Sequence, residues 1–341
     1  MHEKSIVIDG QGVAVLLPVA LVPQPPRGGK PHLDRALASG LTAMNVTMGI
    51  LGIGMGQDSF RALLNTMHGY FSYFELEPCA VLVRTGDDIR RAKRDGRLGI
   101  IFGVQGLATK IEDDPNLLLI LYRLGLRVAQ ITYNDRSSLG SGALDSPDTG
   151  LTQFGRLCIR EMNHIGMCVD LAHAGERTML EAIDASAAPV IVSHANARAL
   201  CDTPRNASDA ALKTLAAHGG VIGITAYAPF CETKPGARPR LDDFIDHVAH
   251  VANLVGIDHV GIGSDFFEAE SAVRFERFLR ARYPEAVRGY SLDTVYVDGF
   301  SRIDHLPRLA PRMLARGFSA ADVQKVLGAN FLRVFDRVWK D

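Results

Sequence analysis

The stretch "MCVDLAHAGERTMLEAIDASAAPVIVSHANARAL", Met167–Leu200, decides the fold. It holds two short apolar runs, Met167–Leu171 and Pro189–Ser193. Each has the length of a strand buried on both faces. Each runs directly into a polar cluster that carries a histidine, His173 in "DLAH" and His194 in "SHAN".

Working outward, six more runs of the same kind appear. They are Ile6–Ile8, Leu41–Met48 ("LTAMNVTM"), Leu98–Val104 ("LGIIFGV"), Arg127–Thr132 ("RVAQIT"), Gly220–Thr225 ("GVIGIT") and His259–Ser264 ("HVGIGS"). Amphipathic stretches lie between them. "DDIRRAKRDG" stops at Gly96, a helix C-cap. "TQFGRLCIREMNHIG" carries Phe154, Leu157, Ile159 and Met162 at near-helical spacing. "SDAALKTLAAHGG" starts on Ser208 as an N-cap, and "LDDFIDHVAHVANLVG" puts Phe244, Ile245, Val248, Val251 and Leu254 on one side.

Buried strands alternating with helices predict a single α/β domain over residues 1–341, a parallel (β/α)8 TIM barrel. A doubly wound open sheet fits less well, because no GxGxxG follows the first strand. "PVALVPQPPRGGKP", Pro18–Pro31, reads as a loop after the first strand, and "GILGIGMG", Gly49–Gly56, as a flexible loop after the second. Segments of about 49–78 and 266–305 are expected to cover the barrel mouth.

Composition narrows the function classes. The chain has 341 residues, 47% hydrophobic and 22% charged, with a formal net charge of −1. That balance points away from nucleic acid and from an anionic membrane surface. Five cysteines without a CxxC pair read as reduced thiols, and with no signal-like N-terminus they predict a cytoplasmic protein. Cys168 reads as a small buried side chain.

In a barrel, function gathers where strands end. Those positions hold Asp9 and Gln11, Gln105, the cluster Tyr133-Asn134-Asp135-Arg136, His173, His194 and Asp265. A lone strand-end histidine is more often a hydrogen-bonded structural residue than a ligand. Two on successive strands, with an aspartate on the last, are the types that bind a divalent metal and manage its water. His164, His218, His247 and His250 on predicted helices, and His32, His68 and His305 in predicted loops, read as solvated or structural.

The segment "FGRLCIREMNHIGMCVDLAHAGERTMLEAIDASAAPVIVSHANARALCDTPRNASDAAL" resembles the renal or membrane dipeptidase family of the amidohydrolase superfamily. "GVIGIT", "VGIGSDFF" and "VLGANFLRVFDRVW" extend the likeness, which runs from about Gly99 onward. The resemblance implies a TIM barrel of the metallo-dependent hydrolase type, a zinc-dependent hydrolase of dipeptides with a two-metal site, often a homodimer. It implies that His173 and His194 hold one metal and that Asp265 is the acid/base. It implies that Arg205, in "TPRN", binds the substrate carboxylate, and that Tyr133, with Asn134 beside it, contacts substrate.

Two strands depart from the family pattern. The first normally supplies His-x-Asp to the other metal, and here carries Gln11 and Val13. The third normally supplies a bridging glutamate, and here carries Gln105. An amide oxygen is a weak neutral ligand, and valine is none. Losing two carboxylates together with one divalent ion leaves the charge balanced. The expectation is therefore at most one zinc or similar ion, held weakly by His173 and His194, with Gln11 and Gln105 as lesser candidates. The expected activity is hydrolysis of a dipeptide or small carboxylate-bearing amide. A metal-free enzyme or a non-catalytic small-molecule binding protein on the same scaffold is the alternative.

Overall fold

The computed structural model describes residues 2–12, 32–49, 59–266, 280–291 and 293–340. Val13, the loop Pro18–Pro31 and most of Gly49–Gly56 lie outside them, so the expectations placed there have no structural counterpart.

Among the described residues there are nine parallel strands: β1 (Ile8–Asp9), β2 (Ala43–Thr47), β3 (Ala80–Leu82), β4 (Leu98–Val104), β5 (Leu126–Gln130), β6 (Cys168–Asp170), β7 (Ile191–Val192), β8 (Val221–Ile224) and β9 (Val260–Ile262). Each apolar run of the sequence supplies one of them. β1 pairs with β2 on one side and β9 on the other, and β2 pairs directly with β4. The sheet thus closes as an eight-stranded barrel in the order β1-β2-β4-β5-β6-β7-β8-β9. β3 is the addition the sequence did not announce. It pairs with Leu98–Ile100 at the start of β4, below the point where β5 takes over at Phe102.

The inside of the barrel is a packed core. Ile8, Ala43, Ile101, Val128, Cys168, Ile191 and Val221 meet there, one from each of seven strands. The closing helix Asn330–Val338 plugs it with Phe331 and Phe335. The turn that leads into this helix, Lys325–Ala329, passes the start of β1 so closely that a Cβ on Gly328 would stand 2.6 Å from the Ile6 carbonyl oxygen and 2.8 Å from the Ile8 nitrogen. A larger residue there would push the plug off the strand. The outer core lies between strands and helices, with Phe102 of β4 packed against Tyr70, Phe71 and Phe74.

Helix ends follow the local chemistry. Thr85 caps Gly86–Asp95 with a full capping box, and Gly96 ends it in the left-handed region. Ser208 caps Asp209–Ala217 by accepting from the Ala211 N–H. Three expectations are corrected. Residues 49–78 are no plain loop, since Phe60–Leu76 is a 17-residue helix that carries His68. His32 opens the helix His32–Ala38 and His305 lies in a 3-10 helix, so neither is in a loop. Leu157 faces solvent, and Cys158 takes its place in the core.

Candidate active site

The C-terminal ends of the strands bring the predicted residues together, and their histidines carry the clearest geometry. His173 Nδ1 lies 2.7 Å from Asn134 Oδ1, an acceptor. His194 Nδ1 lies 2.8 Å from Ser193 Oγ, whose own hydroxyl is donated to Asp170 Oδ2 at 2.6 Å. The hydrogen-bond network therefore assigns the proton of each ring to Nδ1. Both Nε2 lone pairs then point at one another, 2.9 Å apart. Two lone pairs at that distance repel unless a cation lies at their meeting point, either a shared proton or a metal ion. Burial, together with the Arg205 charge, lowers the proton affinity of both rings well below the ordinary histidine value. Neutral imidazoles with a fixed Nδ1–H are the form that ligates a metal.

The backbone is bent to place these groups. Asn134, His173 and Asp265 all have positive φ, at 46°, 64° and 54°. Non-glycine residues hold such angles only where neighbours impose them. Here the Leu144 N–H donates to the Asn134 carbonyl and the Ala143 N–H to that of His173, at 2.8 and 2.7 Å. Asp265 is held from both sides. Its N–H donates to the Gln11 carbonyl at 2.8 Å, and Tyr296 donates its hydroxyl to the Asp265 carbonyl at 2.8 Å.

Two buried aspartates brace the rim in the same way. Asp170, ending β6, accepts from the Ala172 N–H, the Ser193 N–H and the Ser193 hydroxyl. Asp9, ending β1, accepts from the Gln11 N–H, the Ser264 N–H and the Ser264 hydroxyl. Each serine immediately precedes a site residue, His194 or Asp265. The sequence carries no local signal for this role, because the serines come from strands 23 and 255 residues away.

The other half of the rim differs. Gln11 and Gln105 both donate an amide N–H to Thr47 Oγ1, each at 3.0 Å. All three are buried and neutral. Among the described residues no group of three or more His, Cys, Asp or Glu is placed to hold a metal ion. The donor set fits one divalent ion at His173 and His194, with two strong protein ligands. It does not fit a second ion at the glutamines, where no anionic ligand is present to balance the charge.

Three groups complete the mouth. Arg205 is buried, with its guanidinium 5.1 Å from the Phe230 ring centre and its Nη2 without a hydrogen-bond partner among the described residues. Burial lowers it to about 10, opposed chiefly by Asp265, so it remains a cation at neutral pH. Burial pushes Asp265 up to about 7, opposed by Arg205. Tyr133 stacks on His173, with ring centres 4.2 Å apart. Asn134, beside Tyr133, gives its Oδ1 to His173. The segment after β9 reaches this mouth, where Tyr283 and Arg282 both donate to Asp135.

Fold and rim together define a (β/α)8 barrel of the amidohydrolase type. Comparison with known proteins gives the family. Residues 32–280 match the membrane dipeptidase family, peptidase family M19. The chain is 33% identical over 259 residues to dipeptidase tcpJ of Claviceps purpurea (strain 20.1), a match covering 75% of this chain and 55% of that protein. It is 34% identical over 261 residues to dipeptidase verJ of Clonostachys rogersoniana, covering 75% and 60%. The crystal structure of an amidohydrolase from Pseudomonas aeruginosa superposes with a TM-score of 0.86 at 32% identity, over 100% of this chain and 98% of that one. The chain belongs to the membrane dipeptidase family. It spans a little over half the length of the two curated relatives named here.

Proposed function

We propose that the protein hydrolyses small amides that carry a carboxylate, dipeptides among them, with at most one divalent metal such as zinc held by His173 and His194. The observation that carries this reading is the convergence of two neutral imidazole nitrogens at 2.9 Å, each fixed from behind by an acceptor for its Nδ1–H. A divalent ion there supplies Lewis acidity to the substrate carbonyl and to water. The chain supplies the rest. Arg205 offers its buried, unpartnered Nη2 to the substrate carboxylate. Asp265 takes a proton from the attacking water and returns it to the leaving amine, so that amide and water give an acid and an amine. Its raised proton affinity suits both halves of that exchange. The names of the curated relatives, both dipeptidases, agree with this reading.

A second reading has its own support: the shortage of anionic ligands among the described residues favours a metal-free or non-catalytic binding protein. Five free cysteines fit the cytoplasm in either case, and no described helix is long and apolar enough to cross a membrane. The two readings part in one assay. Purified protein supplied with zinc is offered a panel of dipeptides and N-acyl amino acids. Turnover that chelator and Arg205→Met both abolish supports the hydrolase. Thermal stabilisation by the same compounds without turnover favours the binding protein.

A further inference from the structure

We propose that the site selects amides with a single negative charge, N-acylated amino acids whose acyl end is uncharged, over dipeptides with a free α-ammonium group. This deepens the hydrolase reading and rests on it.

The barrel order sets the direction of a bound substrate. In the ring β1-β2-β4-β5-β6-β7-β8-β9, β7 stands four strands from β2, directly across the barrel. Arg205 follows β7, and β2 ends in Thr47, flanked by Gln11 after β1 and Gln105 after β4. A substrate gripped by its carboxylate at Arg205 therefore presents its far end to the Gln11–Thr47–Gln105 wall.

Among the described residues, that wall offers a cation only neutral acceptors. A buried ammonium needs a carboxylate or a full set of acceptors. The three wall side chains are neutral, and both amides spend an N–H on the one threonine oxygen. The nearby carboxylates among the described residues are occupied. Asp9 and Asp170 each already accept three hydrogen bonds from the chain. Asp135 is tied to Tyr283 and Arg282. Asp265 remains, with the Arg205 charge acting on it and the proton transfer to perform. A free α-ammonium would give up its water for neutral oxygens beside a cation. A plain acyl group loses nothing of that kind.

Propionyl-alanine and alanyl-alanine differ only by the amino group, so they form the test pair, with the alanine in either configuration. Binding to the zinc-supplied full chain is measured by calorimetry, and turnover by release of alanine. The expected result is at least about tenfold tighter binding of propionyl-alanine, a difference of about 1.4 kcal/mol. Gln105→Glu, and separately Gln11→Glu, should shift that ratio about tenfold toward alanyl-alanine, with unchanged melting temperature as the check on folding. Equal or tighter binding of alanyl-alanine to the wild type overturns the proposal, as does failure of both compounds to bind. Preference in binding without turnover of either compound keeps the selectivity and overturns the hydrolase reading. Turnover that favours alanyl-alanine does the reverse.

Discussion

The two halves of the barrel mouth are built on one backbone plan and carry opposite chemistry. On the β6–β7 side, an aspartate–serine clamp ends in His194, and Asn134 holds His173, so two imidazole nitrogens converge. On the β9–β1 side, the matching clamp of Asp9 and Ser264 is intact, but the neighbouring wall of Gln11, Thr47 and Gln105 is a neutral cluster bonded to itself. The clamps tie strand ends to one another, so the same backbone plan stands whether metal-binding side chains lie beside it or not. Asp265 sits at the seam, its N–H on the glutamine side and its charge under the influence of Arg205.

The largest expected effect falls at that seam. Asp265→Asn should lower kcat/KM for an amide substrate about a thousandfold, the size of a lost general acid–base group, with zinc binding retained. A variant with wild-type activity would remove the acid–base role from this residue. The next effect separates the halves. Asp170→Asn and Ser193→Ala release the ring that presents His194, and should weaken zinc binding by about ten- to a hundredfold. Competition with a chromophoric chelator measures this directly. Equal weakening by Asp9→Asn would break the contrast between the two clamps. Smaller still, Gln11→Ala and Gln105→Ala should change zinc affinity by less than about threefold, since a neutral amide adds little as a ligand. A tenfold loss in either would place the ion on the wrong side.

A residue outside both halves gives a control with a defined pH direction. His247 is fully buried and accepts the Ala197 N–H at Nδ1, 3.1 Å away. Burial pushes its imidazole down to about 4 from an ordinary 6.5. The unfolded chain takes up that proton near pH 6.5 and the folded chain only near 4. Stability is therefore lost as pH falls through this window, by on the order of 3 kcal/mol for the full shift. His247→Asn should flatten that part of a melting-temperature profile while leaving zinc binding unchanged. A profile with the wild-type slope would acquit this histidine.

What the sequence disclosed, and what it withheld, follows from how far each feature depends on neighbours distant in the chain. The eight barrel strands are legible because a strand buried on both faces is a short, mostly apolar run. Ala80–Leu82 is not, because three residues carry no period, and the strand exists only through its pairing with Leu98–Ile100. Phe60–Leu76 looked like a loop because a glycine-rich stretch runs up to it. His173, His194 and Asp265 were found by position alone. The clamps of Asp9 and Asp170 were not, since each needs a serine brought alongside by the next strand in the barrel. The same is true of Thr47, whose oxygen joins two glutamines 36 and 58 residues away in sequence. Leu157 and Cys158 show the limit of helical spacing, where one step of rotation exchanges core for solvent.

The central proposal is one metal position in this barrel mouth, on the histidine side, and none on the glutamine side. Zinc titration of the purified chain, read as ions bound per chain by calorimetry and by elemental analysis, tests it most directly. The expected result is a single equivalent, lost in both His173→Ala and His194→Ala, and raised toward two when Gln11→His, Val13→Asp and Gln105→Glu are combined. Two equivalents in the unaltered chain would contradict the account.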